Sequence, residues 1–378
     1  MTFLEEAKAL YRSINVKPAI TASGSTTAYG GTKLRPEVMD AMNKAASVMV
    51  DMKELNLAAG RIIADLTGAD AGLVTGGAAS GMTLQAAACI AGSDPGKMNQ
   101  LPDTQNLKNE ILVHKSQRFL YDQCYRAAGA KLVDFGEGRR CSPWEFESAF
   151  SDKTAAVNYL FSPFLSRLAL PLNQVCEIAH RYHVPVIVDA ASFIPPRANL
   201  RRFIAEGADL VIYSGGKGVR GPQGTGILCG RSDLIEAAMA NASPNPFLGR
   251  GMKVSKEEII GLITALEIFV KEDEQAETDR YYAMGQAVTD ALENIPGLEV
   301  RVKHDSHDYL IPTALIHFLP DYPGPSRNEV LQIMAQGDPP IFLHSLGNPD
   351  DLAVDPLNVS EEELVIVIDR LKDVLSGR

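Results

Sequence analysis

Short apolar runs alternate with stretches whose hydrophobic residues recur every three or four positions. The runs AGLVTGG (71–77), ILVH (111–114), KLVDFG (131–136), AAVNYLFS (155–162), VPVIVDA (184–190), LVIYSGG (210–216) and GTGILCG (224–230) read as strands. Most are apolar at nearly every position, which is the pattern of strands buried on both faces of a mainly parallel sheet. The intervening stretches carry helix start signals. Pro36 suits a first helical position, Asp51 caps a segment that stops at Gly68, and Ser142 with Glu145 forms a capping box around Pro143. Strands alternating with helices predict an α/β layered fold with right-handed crossovers over roughly residues 35–240.

Beyond residue 250 the texture changes. Ser255 and Glu258 cap what reads as one long amphipathic helix, from EEIIGLITALEIF to TDALENI. Strands at 298–302 and 310–318 follow, and Ser360 with Glu363 starts a last helix that ends near Leu375. The expected organisation is a large α/β domain over 15–250 and a smaller α+β domain built from 1–14 and 251–378, with a hinge at the Pro-, Gly- and Asn-rich NASPNPFLGRG.

Composition narrows the function classes. The chain has 378 residues, 46% of them hydrophobic and 22% charged, and it contains neither repeats nor low-complexity segments. Its 36 basic residues against 47 acidic ones give a formal charge of -11, so no general field attracts a phosphate backbone and no nucleic-acid partner is expected. Five cysteines, none in a C-x-x-C pair, suggest neither a disulfide framework nor a thiolate zinc site. The pairs His180/His183 and His304/His307 lack a third ligand at sensible spacing, so no metal is expected either. The N-terminal MTFLEEAKALYRSINV has neither signal-peptide nor membrane-anchor character, and a cytoplasmic location is the expectation.

The chemistry concentrates around YSGGKGVRGPQGTGIL. Lys217, bracketed by glycines after a buried strand, can lose its proton on desolvation and act as a nucleophile toward an aldehyde. Asp189 closes the apolar strand VPVIVD, where a carboxylate is costly unless it meets a cation such as a pyridinium nitrogen. Upstream, LVTGG runs straight into the alanine-rich AASGMTLQAAACIAG, whose first turn offers bare N–H groups and a positive dipole end to a phosphate. Glycine turn, aspartate and lysine, in that order, supply the three handles of pyridoxal 5′-phosphate.

These residues also carry a resemblance. SGGKGVRGPQGTGIL, with VIVDAASFIPPRANL, GADLVIYSGGKG and GRGMKVSKEEIIGLITALE, resembles fold-type I pyridoxal phosphate enzymes of the class V aminotransferase and cysteine desulfurase kind. Within them it is most similar to the group containing D-glucosaminate-6-phosphate ammonia-lyase and bacterial selenocysteine synthase. The resemblance implies that Lys217 carries the cofactor as a Schiff base, Asp189 holds the ring nitrogen, Ser192 faces the phenolic oxygen and Ser214 reaches the phosphate. Gly77, Ala78 and Ala79 would bind the phosphate through backbone, with Ser80 replacing an absent hydroxyl, while Gly216 stands where a phosphate-binding histidine is common. His114 is the first choice to cover the ring face and Gln117 the second. Thr27 and Tyr29 of SGSTTAYGGT, together with Arg220 and Arg250, are candidate substrate contacts.

The implied activity is that of a lyase removing water and ammonia from a β-hydroxy amino acid or amino sugar acid to leave a 2-oxo acid. A selenium transferase acting on seryl-tRNA shares the scaffold, as do racemases, aldolases and aminotransferases. The acidic charge, and the absence of length for a tRNA-binding module, favour a small-molecule substrate. The aminotransferase reading is weakened because LHSLGNPDDLAVDPLNV contains no arginine. A homodimer or larger homo-oligomer is expected from the resemblance, and no membrane association.

Overall fold

The computed structural model describes residues 3–162, 165, 168–305, 310–345 and 348–377. The chain divides into two compact units, one of residues 34–272 and the other of 1–33 with 273–378. The division falls later than the expected 14/15 and 250/251 boundaries, for a local reason at each end. Residues 20–22 form a strand of the smaller unit, and the helix expected to open the smaller domain packs within the larger one instead.

The smaller unit begins with α1 (Phe3–Ser13) and β1 (Ile20–Ala22). The larger unit then runs α2 (Pro36–Ala46), α3 (Met52–Thr67), β2 (Ala71–Thr75), α4 (Gly77–Ala91), α5 (Pro95–Gln100), β3 (Glu110–His114), α6 (Asp122–Ala127), β4 (Lys131–Phe135), α7 (Pro143–Glu147) and β5 (Thr154–Leu160). It continues with α8 (Leu172–Arg181), β6 (Val186–Asp189), α9 (Asn199–Ala205), β7 (Leu210–Ser214), β8 (Gly226–Gly230), α10 (Ser232–Asn241) and α11 (Lys256–Lys271). Its seven strands are ordered β2-β8-β7-β6-β5-β3-β4, and only β8 runs against the others.

The unbroken apolar runs have a direct structural cause. On β6, Val186 and Val188 enter one buried cluster with α3, α8, α9 and α11, while Ile187 enters another with α4 and α10. Both faces of the sheet are therefore covered, and each strand must be apolar on both. The parallel strands also bring their carboxyl ends to one edge, where Asp189, Ser214 and His114 end β6, β7 and β3. The glycine turn after β2 lies on this same edge.

In the smaller unit, α12 (Glu274–Leu292) packs on an antiparallel sheet ordered β12-β10-β9, and α13 (Arg327–Gln336) and α14 (Glu361–Leu375) complete its core. These strands are β9 (Leu298–Lys303), β10 (Thr313–Phe318) and β12 (Asp351–Val354), while β11 (Ile341–Leu343) pairs in parallel with β1. Met284, Val288, Val330, Val367 and Leu371 form the centre of its core.

The single long helix expected after Ser255 is two helices. Asp273 interrupts it: its extended backbone and its carboxylate, which accepts from the N–H groups of Gln275 and Ala276, start α12 anew. The heptad-like spacing on both sides masked that signal. Replacing Asp273 with Ala removes this cap, so the urea midpoint should fall by an amount equivalent to about 1 kcal/mol with an unchanged denaturant slope.

Candidate active site

Lys217 lies in the loop between β7 and β8, and its shape there is set by contacts with backbone. A Cβ at Gly216 would lie 2.4 Å from the Cα of Gln223, and one at Gly218 would lie 1.9 Å from the carbonyl oxygen of Ile194. No side chain fits beside the lysine, which explains why Gly216 replaces the histidine common at that position. The turn closes through the Arg220 N–H, which donates to the Lys217 carbonyl at 2.8 Å, with Arg220 in the left-handed region at φ 59°.

The Lys217 ammonium donates to the Ser192 hydroxyl. Burial lowers the affinity of this amine for its proton, and the carboxylate of Asp189 partly restores it. Asp189 is 5% exposed. Desolvation raises its pKa, against the opposing pull of the Ala191 N–H, which donates to Oδ1 at 3.0 Å, and of Lys217. The half-buried lysine and the buried aspartate thus feel each other's charge, each is shifted toward its neutral form, and among the described residues one aspartate oxygen is engaged by the backbone.

Around Asp189 lies a polar layer that the strand pattern concealed. The Tyr125 hydroxyl donates to Asn158 Oδ1 at 2.8 Å, and the Thr83 hydroxyl donates to the Cys124 carbonyl at 2.9 Å. Burial holds the Tyr125 phenol neutral, and the charge of Asp189 adds to the effect. Asn158 sits inside an ordinary-looking apolar strand and Tyr125 inside a short polar helix, so no sequence signal marked them.

The glycine turn is open. Gly77 has φ 80° with free space on its Cβ side, and no side chain caps α4 among the described residues. The first-turn N–H groups of Gly77, Ala78 and Ala79 remain available to an anion. Ser80 does not supply the extra donor expected of it, because its hydroxyl proton is committed to the Gly76 carbonyl at 2.5 Å. Ser214 ends β7, half-buried, with its N–H on the Ala191 carbonyl.

His114, the first choice to cover a ring, has both ring nitrogens engaged. Its Nδ1 meets the Ser116 hydroxyl at 2.7 Å, its Nε2 meets the Arg140 carbonyl at 3.4 Å, and its ring stands edge-on to Phe135. The buried ring serves packing and the turn after β3. Gln117, at the end of that turn, is 1% exposed, and its Nε2 has no partner among the described residues. An orphaned buried donor is costly without a ligand to receive it.

Thr27 and Tyr29 form a single 3₁₀ turn of the smaller unit, where Tyr29 stacks on Phe342 with centroids 3.9 Å apart. Arg250 is exposed and lines a cavity of about 250 Å³ with Thr75, Met252 and Lys253, whose wall includes neither Lys217 nor Asp189. His180 pairs with Asp209 at 2.8 Å, and His307 lies outside the described residues. No group of three metal-ligating side chains assembles among the described residues, and no helix there is long and apolar enough to cross a membrane.

Gly77 to Ala79, Asp189, Ser192, Lys217 and Gln117 therefore fit a planar aldehyde bearing a phosphate and a ring nitrogen. Comparison with known proteins points the same way. Residues 98–315 match the family model described as aminotransferase class-V. The chain is 34% identical to 5′-C-glycyluridine monooxygenase-decarboxylase from a Streptomyces species, over 97% of this chain and 92% of that protein. It is 29% identical to D-glucosaminate-6-phosphate ammonia lyase from Salmonella typhimurium over 97% of each chain. The solved structure of a D-glucosaminate-6-phosphate ammonia-lyase superposes with a TM-score of 0.86 at 28% identity, covering 97% of this chain and 98% of the other.

The shifted pair yields a stability prediction. A buried carboxylate with a raised pKa destabilises the fold once ionised, and the penalty disappears below the unfolded value of 3.8, where both states are protonated. Asp189→Asn should therefore raise the melting temperature of cofactor-free protein at neutral pH. The gain should shrink to nothing as the pH approaches about 4, as thermal melts across that range would record.

Proposed function

Since the chain belongs to the class-V aminotransferase family, whose members depend on pyridoxal phosphate, we propose that it is a lyase of that family. Its substrate would be a β-hydroxy amino acid or amino sugar acid, converted by loss of water and ammonia to a 2-oxo acid. The observation that carries this reading is the contact between Lys217 and Ser192 beside Asp189. It holds one amine, with lowered proton affinity, where it can both take and return a proton.

When bound, the cofactor supplies an electron sink for the substrate α-carbon. The chain's residues do the rest. The amides of Gly77, Ala78 and Ala79 hold the phosphate, Asp189 keeps a proton on the ring nitrogen, and Gln117 covers the ring. Lys217 takes the α-proton and delivers it to the departing β-hydroxyl, which leaves as water. Hydrolysis then uses one water and frees ammonia, so the net change is a hydroxy amine becoming a 2-oxo acid and ammonium. Ser192 keeps the lysine amine aimed during both transfers.

A second reading has support from the relative that is 34% identical, whose name records oxygen-dependent decarboxylation. The two separate cleanly by product. Elimination releases ammonia and oxo acid without consuming oxygen, whereas oxidative decarboxylation consumes oxygen and releases carbon dioxide. Incubating the purified protein with a panel of hydroxy amino acids and amino sugar acids should yield ammonia and oxo acid in equal amounts. Oxygen uptake with carbon dioxide would overturn the lyase reading.

Two substitutions test the residue roles. Lys217→Ala should abolish the borohydride-sensitive visible absorbance and lower turnover by roughly 10²–10⁴-fold. Gln117→Ala should shift that absorbance band, whereas His114→Ala should lower the melting temperature and leave the band in place.

A further inference from the structure

Two buried polar residues of α4, Thr83 and Gln85, are not used by the proposed chemistry, and the second is only half-satisfied. Gln85 is 0% exposed, within a helix whose neighbouring turns are Met82, Leu84, Ala86, Ala87 and Ala88. Its Nε2 donates to the carbonyl of Val188 at 3.3 Å, while its Oε1 is buried without a partner among the described residues. A buried amide left half-satisfied costs stability, and an apolar side chain of similar shape would avoid that cost. Retention of a glutamine here therefore calls for a role other than stability.

Its position supplies that role. Val188 precedes Asp189 on β6, and the residue paired with Asp189 on β7 is Ile212. Gly81, one helical turn before Gln85 on the same face, is where α4 meets Ile212, since a Cβ there would lie 2.2 Å from Ile212 Cδ1. The helix thus crosses the sheet directly over the strand ends that flank Asp189. Besides its close apolar packing, α4 makes two directional side-chain bonds to other elements, from Thr83 to the Cys124 carbonyl and from Gln85 to the Val188 carbonyl, and the second reaches β6. The Gln85 bond is directional, and it lies about 12 Å along the helix from the glycine turn at 1.5 Å per residue.

We infer that Gln85 is a positioning residue that sets the glycine turn at a fixed height above Asp189. The two ends of pyridoxal phosphate are joined covalently, so its phosphate and its ring nitrogen can both be held only if turn and carboxylate have the matching separation. A slip of α4 by one residue moves the turn by about 1.5 Å and detaches one of the two handles. Gln85 acts through the Val188 carbonyl, without touching the cofactor.

The test is cofactor binding by the full-length chain, stripped of cofactor and titrated with pyridoxal phosphate and, separately, with pyridoxal. In Gln85→Met, affinity for pyridoxal phosphate should fall at least about tenfold, while affinity for pyridoxal, which lacks the phosphate handle and keeps the other two, changes less than about threefold. The melting temperature of the cofactor-free variant should stay level or rise, because a half-satisfied polar group has been removed. Equal losses for both ligands, or unchanged affinity for pyridoxal phosphate, would overturn the inference. Gln85→Leu repeats the measurement with a different apolar shape, and failure of both variants to fold would show that the role is only structural.

Discussion

A carboxylate at the end of a doubly buried strand is the constraint around which this chain is organised. Asp189 closes β6 at the edge of a sheet covered on both faces, and water has been taken from it. Such a charge is tolerable only if a cation is brought to it. The chain brings Lys217 toward it, an amine whose burial lowers its proton affinity, and among the described residues the backbone engages one of the two carboxylate oxygens. The loop from Gly215 to Gly226, the open turn at Gly77 and the polar layer of Tyr125 and Asn158 all follow from holding this pair and its ligand in place.

Much of this was legible in the residues themselves. The strands were readable because burial on both faces leaves no polar alternation, and the order of glycine turn, aspartate and lysine was readable because each sits at a strand end. Ser192 was named by resemblance as facing the phenolic oxygen, and the structure sets its hydroxyl on the Lys217 amine. What escaped notice depended on distances the chain order does not encode. His114 looked available because it ends a strand, yet two hydrogen bonds and Phe135 occupy it. Ser80 carried the right hydroxyl, but helix geometry turned it onto the preceding carbonyl.

The unit boundaries escaped for a related reason. Amphipathic spacing continues through Glu272 and Asp273, so the pattern reads as one helix, whereas a single carboxylate cap divides it. Short strands such as β1, β11 and β12 carry only three or four residues, too few for a periodic signal. Gln85 was visible as a lone amide in an alanine-rich helix, but its partner is a backbone carbonyl 103 positions away.

The close packing at Gly216 has an evolutionary consequence. Since the backbone of Gln223 occupies the space a side chain would need there, the step from glycine to histidine is closed to single mutation. A descendant of this chain could acquire that histidine only after the 221–225 segment had moved.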